Sequence, residues 1–309
     1  MFINLSMLIE QFMIEQELKG NSPKTLKYYR RSLQYFIDYV GDKPILDITL
    51  LDLQQYALNI KNRPKYINHP FHPQGETPIT TTSMQTYIRA LRVFLSWLYN
   101  EEYISTEFNK KFRLPKATKK TVEVLTEKEI KTIFSSLNIR TVTGMRSACL
   151  CALMLDSGLR LGEAIGINIQ DIDFSRGIIK VLGKGNKERI VPLGVQTRKH
   201  IIKYITKYRG MHDTDKLLMS IEGIPLSQNA VKQIFVRLRE KTNIEKLHPH
   251  LLRHTFATNY LINGGDIFSL QQILGHTSLD MVKRYSHLSA SFLMRQHKYN
   301  SPLDKLYSN

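Results

Sequence analysis

Four short stretches, far apart in the chain, hold side chains suited to chemistry on a phosphate. SGLRLGE places Arg160 just after a glycine break, with Glu163 three residues on. GKGNKER carries Lys184 on a lysine-rich turn. HPHLLRH sets His250 and Arg253 three residues apart, on one face of a helix that Pro249 would start. LGH puts His276 directly after Gly275, and Tyr285 follows nine residues after His276. Two guanidiniums can fork around the non-bridging oxygens of a phosphate, which lysine does less well. Histidine can donate to that phosphate or move a proton near neutral pH. A tyrosine oxygen can act as nucleophile once phosphate and cations are held against it. A lysine on a hairpin could then protonate the leaving oxygen. The sequence offers no acidic cluster to hold Mg²⁺, so charge stabilisation falls to Arg, Lys and His.

Taken singly, each residue has a plainer explanation. Arg160 could be a surface arginine or simply the partner of Glu163, and Lys184 a solvated turn residue. His250 and Arg253 could line an exposed helix face, and His276 could be an ordinary helix cap. Tyr285 is one of fifteen tyrosines and could belong to the core.

The elements that would position these groups fall into two parts. A chain of 309 residues is long enough for two domains, each with its own core. Residues 1–108 read as an all-helical domain of four or five helices. Ser22 caps and Pro23 starts one of them, which Gly41 stops. A proline-rich loop follows from Lys61 to Thr82, then a strong amphipathic helix from Ser83. Residues 109–122, NKKFRLPKATKKTV, are basic and aperiodic and read as a linker. Residues 123–309 open on a capping box, Thr126 with Glu129, and continue as helices around one small sheet. In DIDFSRGIIKVLGKGNKERIVPL the period switches to short β-rich runs joined by tight turns. The fold class expected is mainly α with a small antiparallel β-sheet. The tail breaks at Pro302.

Charge follows the same division. The net charge is +17, yet residues 1–115 hold 14 basic and 11 acidic residues, against 30 and 16 in residues 116–309. A polyanion bound mainly by the second part is the natural partner. Lys116, Lys119 and Lys120 in the linker could follow a phosphate backbone. The composition reads as globular and soluble, and no apolar run is long enough to cross a bilayer. The N-terminal twenty residues carry acids where a secretion signal needs bases, and read as the first helix. Cys149 and Cys151, the only cysteines, sit in an apolar run without metal-ligand spacing. Together these favour a cytoplasmic location.

In order and spacing, Arg160 with Glu163, Lys184, His250 with Arg253, His276 and Tyr285 closely resemble the tyrosine recombinase (phage integrase) family. VLGKGNKERIVPLG is especially similar to its Xer-type branch. The resemblance covers most of residues 125–300, and the N-terminal helices look like that family's core-binding domain. It implies a two-domain clamp on double-stranded DNA, and cleavage through a 3′-phosphotyrosine on Tyr285 without metal, ATP or other cofactor. Arg160 and Arg253 would hold the scissile phosphate, and Lys184 would be the general acid. His250 would take or share the tyrosine proton, and His276 would hydrogen-bond the phosphate. Glu163 would brace Arg160. Lys187, across the turn, is the rival of Lys184. Lys187 and Arg189 are further DNA-contact candidates, whereas His254 and His287 read as structural or DNA-near and not catalytic. The resemblance also implies a homotetramer in the synaptic complex, with the C-terminal tail docked on a neighbouring protomer. A second recombinase or accessory protein is a further partner class. The role expected is integration, excision or resolution of a mobile element or replicon. The alternatives are Xer-type dimer resolution, a topoisomerase-like activity and a non-catalytic DNA-binding protein. The proline-rich loop departs from a compact Xer-type protein and favours the mobile-element role.

Overall fold

The structure, a computed structural model, describes residues 3–65, 67, 73–113, 123–183, 188–275, 294, 297, 298 and 301–307. Two compact units divide the chain, Met1–Lys120 and Thr121–Asn309.

Local chemistry sets the helices of the first unit. Helix α1 spans Leu5–Leu18 and α2 Pro23–Val40. The Ser22 hydroxyl accepts the Thr25 N–H at 3.2 Å, and Gly41, at φ 81°, ends α2. Helix α3, Leu50–Asn62, begins at a reciprocal cap between Thr49 and Asp52. Helix α4, Thr81–Asn100, is capped by Thr80. Their apolar faces meet in an aromatic core. Phe12 packs edge-on against Phe94 and Trp97 at centroid distances of 5.5 and 5.6 Å.

The proline-rich segment is tied at its ends. The Ile79 N–H donates to the Arg63 carbonyl at 2.9 Å and the Lys65 N–H to that of Thr77 at 3.1 Å. The Arg63 guanidinium lies 4.0 Å from the Tyr35 ring centroid. The start of the expected linker also differs. Phe108–Lys111 is a short helix, α5, and Phe108 and Phe112 are both buried in the first core. Asn109 donates to the Arg92 carbonyl at 3.0 Å, and its own carbonyl accepts from Arg92 at 3.2 Å. Two phenylalanines four residues apart anchor this stretch, although its lysines make it read as aperiodic. Lys116, Lys119 and Lys120 lie outside the described residues.

In the second unit α6, Glu127–Ser136, starts at the Thr126–Glu129 capping box. Helix α7, Val142–Asp156, runs through the core, and Cys149 and Cys151 are buried free thiols there. Helix α8 is Leu161–Gly166. A three-stranded antiparallel sheet follows: β1 Ile172–Asp173, β2 Ile178–Leu182 and β3 Glu188–Pro192. In its register Ile179 faces Val191 and Val181 faces Arg189. The next helix, α9, is Val195–Tyr204 and continues as a π turn through Arg209. Then come α10, Gln228–Thr242; α11, Pro249–Ile262; and α12, Ile267–Leu274. In the tail, Pro302 opens a short helix, α13, Pro302–Tyr307. A first helical position needs no N–H, so proline is tolerated there. Among the described residues no helix is long and apolar enough to cross a membrane.

Candidate active site

The centre of the site is a carboxylate. Helix α7 stops at Asp156, and Gly158 turns the chain at φ 61° towards α8. A Cβ at Gly158 would stand 2.4 Å from the Phe256 ring, so both the turn and the close approach require glycine. The turn buries Leu159 and leaves Arg160 as the residue that opens α8. Glu163, in the first turn, reaches back to accept the Arg160 backbone N–H at 2.7 Å. It also takes Nη1 of Arg160 at 2.8 Å.

Two more guanidiniums converge on Glu163. Arg189, on β3, makes a two-pronged pair with it, Nη1 and Nη2 each 2.9 Å from a carboxylate oxygen. Nη1 of Arg253, on α11, stands 3.8 Å away. The Glu163 side chain is only 7% exposed. Burial alone would raise its pKa, but the Arg189 fork and the bonds from Arg160 outweigh that and bring it to about 2. Arginine stays protonated. These four side chains therefore carry three positive charges and one negative, an excess suited to an anion.

The arginines differ in exposure. The Arg160 side chain is 36% exposed, whereas Arg189 and Arg253 are 13% and 6% exposed. Arg253 donates through Nη1 to the Gly158 carbonyl at 2.5 Å and through Nη2 to that of Leu274 at 2.8 Å. On the same helix His250 is exposed at the surface. Its proton affinity is held below the usual histidine range, first by partial desolvation and then by the charges of Arg253 and Arg160. A neutral imidazole beside two guanidiniums can accept a proton. Helix α11 is seated by His248, whose Nδ1 accepts the Leu251 N–H at 3.2 Å, with Pro249 at the first helical position. His254 is half-buried further along the helix.

Arg160, His250 and Arg253 are thus brought together from two distant stretches. His276, Tyr285, Lys184, Lys187 and the decoy His287 lie outside the described residues, as does the expected helix SLDMVKRYSHL. Arg189, a DNA-contact candidate, points into the unit, where it pairs with Glu163 and its Nε reaches the Ile273 carbonyl at 2.8 Å. The signal was present in the strand period. Arg189 and Val191 share a face of β3, and Val191 is fully buried, so an inward register carries Arg189 with it.

Residues 123–291 match the family model described as the Phage integrase family. Tyrosine recombinase XerD of Halalkalibacterium halodurans is 31% identical over 287 residues, which is 91% of this chain and 93% of that protein. Tyrosine recombinase XerC of Oceanobacillus iheyensis is 29% identical over 309 residues, 96% of this chain and 97% of that one. Among solved structures, a lambda integrase tetramer bound to a Holliday junction is similar with a TM-score of 0.69 and 20% identity. That match covers 89% of this chain and 78% of that one, and it bears on the fold alone.

Proposed function

The chain belongs to the phage integrase family and is a tyrosine site-specific recombinase, and from that premise we propose how its residues divide the work. The Tyr285 oxygen attacks a DNA phosphodiester. A tyrosine–phosphorus bond forms, the bond to the 5′-oxygen breaks, and a 3′-phosphotyrosine remains. The tyrosine proton passes to His250, and Lys184 supplies a proton to the leaving 5′-oxygen. Arg160 and Arg253 stabilise the charge that gathers on the phosphate, with His276 as a further donor. Resealing reverses these steps with a 5′-hydroxyl from another duplex. The bond energy is kept in the phosphotyrosine, so no ATP is consumed.

The observation that carries this reading is the gathering of Arg160 and Arg253 around buried Glu163, with His250 on the Arg253 helix and within reach of both arginine charges, next to the chain that runs on to His276 and Tyr285. On this reading residues 1–108 are the core-binding half of a clamp, and the second unit is the catalytic half. The linker lysines Lys116, Lys119 and Lys120 track the backbone between them. Four protomers join two duplexes, the arrangement that the lambda integrase tetramer has on its Holliday junction. The tail around α13 docks on a neighbouring protomer in a cyclic arrangement.

The test is covalent trapping. The purified chain is incubated with nicked, end-labelled duplexes from either side of its gene, in EDTA, beside Tyr285→Phe. A denaturant-resistant adduct formed by the wild type alone is the expected result, and it maps the site. Clear binding without an adduct, alone or with a related recombinase added, would leave a DNA-binding protein that does not cut. Mixing two distinguishable duplexes separates recombination from topoisomerase-like swivelling, since exchanged products come only from the former. The mobile-element role rests on the proline-rich loop. Xer-type resolution is the second reading, favoured by near full-length similarity to both a XerD and a XerC. Dependence of exchange on an added Xer partner would decide for it.

A further inference from the structure

Three arginines close on three successive carbonyls. Nε of Arg189 donates to the Ile273 oxygen at 2.8 Å, Nη2 of Arg253 to that of Leu274 at 2.8 Å, and Nη2 of Arg160 to that of Gly275 at 3.3 Å. These carbonyls end α12, where the helix itself supplies no partner and the helix dipole favours cations. The three side chains come from β3, α11 and the start of α8, and Glu163 lies against all of them. Gly275 follows at φ 61°, and a Cβ there would sit 3.0 Å from Cδ and Nε of Arg189. The glycine lets the Arg189 side chain approach the turn closely.

Arg189 is the member of this group with no part in the cleavage steps above. Its fork is spent on Glu163 and its Nε on Ile273, with only 13% of the side chain exposed. We propose that Arg189 is a positioning residue of the cleavage reaction. By joining the Glu163 carboxylate to the end of α12, it fixes the point from which the chain leaves for His276 and Tyr285, relative to Arg160 and Arg253. The inference rests on the reading of Tyr285 as nucleophile. It needs the shape of the guanidinium and not only its charge. A lysine at 189 could meet Glu163 or Ile273, but one ammonium cannot span both in this geometry.

The test compares full-length wild type, Arg189→Lys and Arg189→Gln in two ways. Without DNA, amide hydrogen exchange is followed in the peptide covering 267–275, together with the melting temperature. With DNA, binding and single-turnover adduct formation are measured on the nicked duplex mapped by trapping. The cleavage assay is repeated on a duplex whose leaving 5′-oxygen is replaced by sulfur, which departs without a proton. Arg189→Lys is expected to exchange faster at 267–275 and to bind DNA within about twofold of wild type. Its adduct rate should fall by roughly 10- to 100-fold, the scale of a small misplacement of reacting groups. The sulfur substrate should not restore that rate, because the fault lies on the nucleophile side. Full restoration by sulfur would overturn the proposal and assign Arg189 to the support of Lys184, five residues before it in sequence. Unchanged cleavage would also overturn it, as would a loss matched by a lower melting temperature and weaker binding. Arg189→Lys carries the decision if Arg189→Gln does not fold. If the wild type forms no adduct, the recombinase reading fails and Arg189 has no cleavage to position, whatever the exchange at 267–275 shows.

Discussion

Glu163 decides the site because it is a single buried carboxylate among three guanidiniums. Its folded pKa, about 2, lies below the ordinary glutamate value. A depressed carboxylate stabilises the fold fully above its unfolded pKa, and that contribution is lost as pH falls through the folded one. The window therefore runs from about 4.3 down to 2 and spans on the order of 3 kcal/mol. Glu163→Gln keeps the shape but leaves the guanidiniums without their counter-charge. Denaturant melts at pH 7 should show it less stable than wild type by about 3 kcal/mol, and the gap should close across that window. A gap independent of pH would mean that the carboxylate acts by packing. His250 is shifted down as well, which for a histidine favours the neutral form. With its pKa lowered by desolvation and then by Arg253 and Arg160, it is neutral at pH 7 and ready to accept a proton. Adduct formation at subsaturating DNA should keep its rate down to about pH 6.5, the ordinary histidine value, and fall only below it. His250→Gln should be slower throughout and lack that acid limb.

At the scale of elements, the turns carry as much as the helices. Gly158 holds φ 61° against the Phe256 ring, and Leu274 lies 2.9 Å from where its Cβ would stand. Gly158→Ala should therefore lose roughly 2–4 kcal/mol by thermal melting, from left-handed backbone strain and overpacking together. Because the Gly158 carbonyl accepts from Arg253, its adduct rate should fall as well. What the sequence made legible was mostly local. Ser22 with Pro23 and Thr126 with Glu129 mark helix starts because a cap is written within four residues. The β-rich runs after Asp171 announce the sheet because the period changes. The inward position of Arg189 was legible in principle, through its shared face with Val191. Phe112 was masked by Lys110 and Lys111, which make its stretch read as a basic linker. The meeting of three side chains at carbonyls 273–275 was not legible at all. A backbone oxygen has no residue type, and its partners lie 21, 84 and 115 positions away.

At the scale of the whole molecule the governing quantity is the uneven charge, 14 basic and 11 acidic residues before position 116 against 30 and 16 after it. A surplus of this kind binds DNA by releasing condensed counterions, so it weakens with salt in proportion to the phosphates neutralised. Lys116, Lys119 and Lys120 open the more basic part, between the two helical regions. If all three lie on phosphates, the combined change of these lysines to glutamine makes the plot of log affinity against log salt shallower by about 2.7, at about 0.9 per contact. Phosphate contacts carry no base information, so affinity should drop alike on the mapped site and on unrelated duplex. The single-turnover cleavage rate at saturating DNA should not change, because none of the three is placed at the reacting phosphate. Fluorescence anisotropy over a salt series, paired with the trapping assay, measures both quantities on the same preparations. An unchanged slope would move the neutralising charge to other residues after position 122. A slower cleavage step at saturation would mean that the linker sets the geometry of attack as well as the grip on the duplex.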